Sequence, residues 1–286
     1  MMRVSIALSA LALALTAGGA AYAGDHREVA KSVSVGGSCA KCDLSGKKLT
    51  NARFMGANLA SALLIGTDLR GATFSGSNFQ SADLTRADLR GASMMGANFG
   101  KAIFHEAHLD GVEAQGANFA DADLSKVRAT GAELQGANFS RAVVARADFS
   151  GAELQAANFS RAQGHGARFH GAELVATNFV RGSFPKASFR SAELKAANLS
   201  GGDFSGADFH DASLFRANIS GAIFSGARGL TQDQLDEGCG DSSTIVPRGL
   251  TVKACKSGFI FKHVTSPPPP KPPKAPAPPR WIIGER

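Results

Sequence analysis

From about Ala40 to Arg228 the apolar positions of the chain recur every five residues. In Gly131 to Ser150, GAELQGANFSRAVVARADFS, a small residue (Ala132, Ala137, Ala142, Ala147) stands two places before a larger apolar one (Leu134, Phe139, Val144, Phe149). Polar or small residues fill most of the other places. A period of five is neither the 3.6 of an α-helix nor the 2 of a flat strand, so neither element accounts for it. Self-similarity over so long a run is read as repeat architecture.

A slower period lies inside the fast one. Asn precedes the large apolar residue at Asn58, Asn78, Asn98, Asn118, Asn138, Asn158, Asn178, Asn198 and Asn218. The same step of twenty gives Glu113, Glu133, Glu153, Glu173 and Glu193, and Phe79 through Phe179. Four pentapeptides therefore make one unit, which predicts a four-sided coil with residue n over residue n+20. Backbone groups then pair from coil to coil at a strand-like spacing of about 4.8 Å. The large positions run from Leu44 to Phe224, a little over nine coils, which predicts a rod on the order of 45 Å long. All but three of the 19 Phe, the exceptions being Phe215, Phe259 and Phe261, fall at these inward sites. Ala is predicted at the second inward site because four closing walls leave little room there. Glycines such as Gly96, Gly116 and Gly136 are predicted to serve the turns. Ala114, Ala129 and Gly164 break the rule at large sites, and we expect their space to be filled by Phe neighbours above and below. Pro185 falls at an outward turn position.

The A-[DN]-[LF]-x-x register, as in Ala87-Asp88-Leu89 and Ala137-Asn138-Phe139, resembles the pentapeptide-repeat proteins over roughly two-thirds of the chain. That resemblance implies an all-β fold, a right-handed quadrilateral β-helix over residues 39–228. From Gly229 the register slips, and Thr231 followed by Gln234 reads as a helix N-cap with a capping box. Residues 229–262, with Cys239 and Cys255, look like the short helical C-terminal cap of exported members of the family, which implies a Cys239–Cys255 bridge. The best-known activity in the family is DNA mimicry toward DNA gyrase by certain cytoplasmic members. This chain departs from it: residues 39–228 hold 20 Lys and Arg against 17 Asp and Glu, where a mimic needs a strongly negative face.

The ends are different material. Arg3, the apolar run Val4 to Ala17 and the small-x-small Ala21-Tyr22-Ala23 read as a signal peptide over 1–23, which predicts an exported protein, periplasmic or extracellular. No later stretch is apolar enough to cross a bilayer. Residues 24–38 read as a lead-in with a short strand. Cys39 and Cys42 form a C-x-x-C, compatible with zinc, redox chemistry or a disulfide. Cys239 and Cys255 lie too far along the rod to complete a metal site with them. A local disulfide or buried thiol of the first coil is favoured over redox chemistry, whose βαβ context is absent. Nine of the 11 prolines lie in residues 263–286, predicted as an extended tail. There Trp281, Ile282 and Ile283 are a candidate partner anchor, against a tail with no role.

Charge changes the functional picture little. The net +7 is dispersed, and base-stacking aromatics are nearly absent outside the interior, which speaks against nucleic acid. His170 and His210 share a column with Arg190 between them, too far apart for one metal ion. The Asn series is expected to form an amide ladder, and Arg141, Arg161 and Arg181 a solvated basic edge. The Glu113 to Glu193 stripe is a candidate for divalent cations. No catalytic constellation and no cofactor are predicted. The expectation is a non-catalytic exported scaffold that contacts an envelope protein or polymer through its surface or tail. The alternative is a binder of divalent cations or anionic envelope through the Glu stripe or basic tail. Pairing with a second copy is left open.

Overall fold

The structure, a computed structural model, describes residues 36–255. The expected signal peptide, nearly all of the lead-in, and the tail with Trp281, Ile282 and Ile283 lie outside the described residues. Within them the chain is wound into stacked coils. Parallel bridges join residue n to residue n+20 at every fifth position, from Ser38–Asn58 to Asp208–Arg228. Four rows of bridges therefore run along the stack, one through the Asn series and one through the Glu series. The stack begins one pentapeptide earlier than the sequence suggested: Cys39, only 7% exposed, takes the first large inward site in place of Leu44.

A pentapeptide with Asn at the outward site accounts for all five of its backbone donors. Around Phe139, the Phe139 N–H donates to Asn158 O (2.7 Å), Asn138 N–H to Ala117 O (2.9 Å) and Arg141 N–H to Ser160 O (2.9 Å). The turn closes with Ala142 N–H to Phe139 O at 3.0 Å. The fifth donor, Ser140 N–H, is accepted by the Asn138 side chain at 3.1 Å. Asp does the same where it replaces Asn, as in Asp83 with Thr85 N–H (2.9 Å) and Asp148 with Ser150 N–H (3.1 Å). This is the physical basis of the A-[DN]-[LF] pattern. A short side chain with an oxygen at its γ carbon reaches the amide two residues on, an Asx turn, and a longer one overshoots.

The interior is a set of ring columns. Phe79, Phe99, Phe119, Phe139, Phe159 and Phe179 stack with centroids 5.0, 5.2, 4.9, 4.6 and 5.2 Å apart. A second column runs through Phe149, Phe169, Phe189 and Phe209, and meets the first edge to face. Burial of each such side chain contributes about 1.5–3 kcal/mol against the entropy of an ordered backbone. Ser77, Thr67 and Thr177 occupy the small inward site with their hydroxyls satisfied: Thr67 Oγ1 donates to Leu44 O and Thr177 Oγ1 to Leu154 O, both at 2.9 Å, and Ser77 donates to Phe54 O. The gap at Gly164 is filled from one side, since a Cβ there would lie 2.2 Å from Phe184 Cδ1 and 3.2 Å from Val144 Cγ2. The neighbour on the other side is thus Val144, not a second Phe. Ala114 and Ala129 are also buried.

Every turn residue two places after a large site, from Gly36 to Gly226, has φ between 53° and 67°. Gly96, Gly116 and Gly136 serve turns as expected, at φ 61°, 64° and 65°, but glycine is not required there. Ala156, Arg161 and Ala176 adopt the same left-handed conformation at 56°, 57° and 55°, at about 1 kcal/mol or more each. The coil-to-coil bonds over-determine the turn and impose the angle whatever the side chain.

At the C-terminal end a helix α1, Gln232–Glu237, follows Thr231, whose side chain and that of Gln234 form a reciprocal capping box. Leu235 is fully buried. Gln234 Nε2 donates to Phe209 O (2.9 Å) and Ala212 O (2.7 Å). Its bond to Ala212 O replaces a missing backbone: one coil back, Ala192 O accepts from Ser213 N–H at 3.0 Å. The chain then rejoins the stack through Asn218–Cys239 and Ile223–Ile245 bridges. Cys39–Cys42 and Cys239–Cys255 are both disulfides, with Cα atoms 5.2 and 4.7 Å apart.

Two outcomes follow in denaturation experiments. Gly164→Ala lowers stability by about 1–3 kcal/mol through overpacking against Phe184, and Phe184→Leu in the same chain recovers part of that loss. Strict additivity of the two changes would show that they do not meet. Cys239→Ser with Cys255→Ser lowers stability by about 3 kcal/mol, the loop-closure value for a loop of this length. An unchanged melting curve would mean that the bridge constrains nothing.

Candidate functional site

With the interior filled, the outer rows are the surface that the described residues offer for contact. The Asn row is a continuous amide ladder over its first part. Asn78, Asn98, Asn118, Asn138 and Asn158 each donate Nδ2–H to Oδ1 of the Asn one coil back, at 3.2, 3.1, 2.9, 3.0 and 3.2 Å. The same oxygens accept the turn amides, as Asn78 does for Gln80 and Asn98 for Gly100, so each side chain closes its own turn and ties its coil to the one before.

The Glu row stacks as the sequence indicated, with Glu113, Glu133, Glu153, Glu173 and Glu193 bridged in succession. Its carboxylates are engaged in a way the sequence did not reveal. Gln115, Gln135 and Gln155 donate their side-chain N–H to Glu133, Glu153 and Glu173 of the next coil, and Lys195 pairs with Glu193 at 2.9 Å. Each of these Gln amides turns its nitrogen to the carboxylate and leaves its own oxygen buried without a donor. Among the described residues no group of three His, Cys, Asp or Glu side chains is placed to share a metal ion.

The row through Asp68, Asp88, His108, Arg128, Asp148, Arg168 and Asp208 is laced with ion pairs. Arg70 grips Asp68 through Nε and Nη2 at 2.8 and 2.7 Å, and Arg90 grips Asp88 at 2.8 and 2.6 Å. Arg168 meets Asp148 at 2.7 Å, while Arg190 (3.4 Å) and His210 (2.5 Å) converge on Asp208. His210 thus pairs with Asp208, while His170 is exposed two coils before it. Hydrogen bonds from Arg70 and Arg90 hold the Asp68 and Asp88 carboxyls below the usual carboxylate range. Burial pushes Asp208 upward, but hydrogen bonds from His210 and Arg190 outweigh it and leave the group lowered.

An open cleft of about 590 Å³ lies where α1 meets the last coil, lined among others by His210, Asp211, Ser213, Asp233 and Glu237. His210 turns its Nδ1 to Asp208. On the remaining row, Leu63 and Ile103 are exposed and alternate with Asp43, Asp83 and Asp123. Among the described residues no helix is long and apolar enough to cross a membrane.

A parallel stack of short coils, each resting on the last through a bridge at every fifth residue, defines a β-helix assembled from five-residue units. Family models described as "Pentapeptide repeat region" (residues 82–159) and "Pentapeptide repeats (8 copies)" (residues 38–76, 62–101, 145–181 and 192–228) match well over half of the chain, which belongs to the pentapeptide-repeat family. Among solved structures it is similar to HetL, a pentapeptide repeat protein involved in heterocyst differentiation regulation in Nostoc sp. strain PCC 7120. That match has 27% identity and a TM-score of 0.37, and covers 73% of this chain and 91% of that one. QnrB1, a plasmid-mediated fluoroquinolone resistance protein, matches at 21% identity and TM-score 0.35 over 72% of this chain and 91% of that one. A pentapeptide repeat protein of the Arabidopsis thaliana thylakoid lumen matches at 31% identity and TM-score 0.27, over 34% of this chain and 63% of that one. No curated protein matches.

The lowered aspartates fix the acid behaviour. A carboxyl whose folded pKa lies below its unfolded value stabilises the fold above the unfolded value, about 3.9 for Asp. That stability is lost as pH falls through the folded pKa. Melting temperature is therefore flat from neutral pH down to about pH 4 and falls below it. Asp68→Asn with Asp88→Asn keeps the Asx acceptors and makes the acid-side fall shallower. An identical acid limb in the variant would contradict the assignment.

Proposed function

We propose that this protein is a non-catalytic, exported scaffold that works by contact of its outer rows, or of its Pro-rich tail, with an envelope protein or polymer. In this reading the coil is right-handed and quadrilateral in section. Helix α1 and the Cys239–Cys255 bridge close its C-terminal end against exposure of the interior and of the unpaired edge. One observation carries the reading. The large inward residues from Leu44 to Phe224 are packed shut, so every side chain free to meet another molecule stands on the outside. Export is favoured by the character of residues 1–23 and by two disulfides, which suit an oxidising compartment. Cation binding on the Glu stripe ranks behind surface contact, because Glu133, Glu153 and Glu173 already accept Gln amides.

The test is cross-linking in the envelope. A photoreactive side chain is placed at Asn138, Gln163, Arg168 or Glu153, one on each row, or at Trp281 in the tail. The reading expects a discrete high-mass adduct from at least one of these positions. No adduct from any of the five would overturn it.

A further inference from the structure

One side of the coil differs from the rest in charge. The bridge row through Val143, Gln163 and Ser183 is flanked by two lines of turn residues. Arg141, Arg161 and Arg181 stand on one edge, and Arg146 and Lys186 on the other; all five are exposed. Arg141 is held by Asp121 at 2.6 Å, but Arg146, Arg161, Arg181 and Lys186 enter no ion pair among the described residues. Between residues 140 and 187 the only acids are Asp148, Glu153 and Glu173. Asp148 is taken by Arg168, and the two glutamates belong to the row ten residues, half a coil, away. Over these coils the stack is therefore polarised, with Glu153 and Glu173 on one side and unpaired cations on the other, and Asp123 and Asp203, bridged to Val143 and Ser183, bound the basic patch at its two ends.

The turns do not ask for these cations. All five residues occupy the left-handed site, at φ 55° to 58°, where glycine is the cheaper choice and is used at Gly151, Gly166 and Gly171 in the same coils. Between the two lines lies a floor of short or uncharged side chains, namely Val143, Ala145, Gln163, His165, Ser183 and Pro185.

We infer that this side binds an extended anionic polysaccharide laid along the stack. The inference deepens the surface-contact reading above and rests on it, naming the partner class as an envelope polymer. The free guanidinium groups of Arg161 and Arg181, one coil of about 4.8 Å apart, present forks that grip carboxylate or sulfate groups two bonds at a time. Gln163, His165 and Ser183 offer hydrogen bonds to sugar hydroxyls. Nucleic acid fits less well, because no aromatic side chain is exposed on this side to stack on a base. A lipid surface fits less well because the exposed large apolar residues, from Met55 to Ile103 and then Phe215 and Ile245, all lie outside this stretch.

The experiment uses the full chain and immobilised polygalacturonate, with neutral dextran, anionic lipid vesicles and single-stranded polynucleotide as comparisons. In Arg146→Gly/Arg161→Gly/Arg181→Gly/Lys186→Gly each turn receives the residue its backbone favours, so the variant is expected to melt no lower than wild type. Arg161→Gln/Arg181→Gln serves as a second variant. The inference predicts salt-sensitive binding of polygalacturonate and none of dextran. It also predicts at least tenfold weaker binding in the four-residue variant, and no weakening in Glu133→Gln/Glu153→Gln/Glu173→Gln. The tail lysines are common to all these proteins, so the difference isolates this side. Equal binding by wild type and the four-residue variant would overturn the inference, as would tighter binding to polynucleotide or vesicles. So would salt-sensitive self-association abolished by the Glu variant, which would assign the cations to a second copy. Failure here with envelope adducts still formed would remove the polysaccharide and leave the surface-contact reading standing.

Discussion

Everything in this fold depends on where five backbone N–H groups go. In each pentapeptide three are given to neighbouring coils and one closes the turn, as Phe139, Asn138, Arg141 and Ala142 illustrate. The fifth is accepted where an Asn or Asp two residues earlier brings the oxygen on its γ carbon within reach, as Asn138 does for Ser140 N–H. Asn and Asp at that outward site are therefore part of the backbone's own hydrogen bonding. Asp contributes a charge as well, and at Asp68, Asp88 and Asp208 hydrogen bonds from Arg or His draw the carboxyl below its ordinary range.

That division of labour sorts the surface. Where Asn or Asp holds the outward site, the residue is committed to the turn, and the Asn ladder leaves little to offer a partner. Where Glu, Gln, Val or Ile holds it, the turn does without the side-chain acceptor and the position becomes available for display. The turn site two residues after each ring is freer still. Its left-handed angle is imposed by bonds above and below, so its side chain projects from the edge with no packing duty. Cations placed there have paid for a strained backbone and received no packing in return, which gives the basic side its interest.

Much of the stack was legible in the sequence because its two periods are written by residue types with one physical job each. Phe and Leu mark the interior, and Asn at a step of twenty marks one row. Thr231 and Gln234 announced α1 because a capping box is a local device. Less legible was anything that depends on which way a side chain turns. The sequence showed a column of Glu, but not that Gln115, Gln135 and Gln155 reach forward to it from the coil before. It placed the first large site at Leu44, since nothing in Ser38-Cys39-Ala40 looks like a ring site until Ser38 is seen bridged to Asn58. The arginine line 141–161–181 was visible as a line. Its partnership with Arg146 and Lys186 was not, because those belong to a different column and meet it only across the width of one row. Gln234's capture of Ala212 O was hidden for the same reason: an end effect has no repeat to betray it.

The central claim, that residues twenty apart rest one above another, is tested most directly by distances between paired spin labels on one row. Arg53 and Glu193 are exposed and seven coils apart in the same column, so labels there should lie about 34 Å apart at 4.8 Å per coil. Moving the second label back to Glu173 should shorten the distance by one coil spacing, and to Glu153 by one more. A series that fails to shrink in equal steps of about 4.8 Å, or a separation little changed along the row, would contradict the stack and the account of the surface built on it.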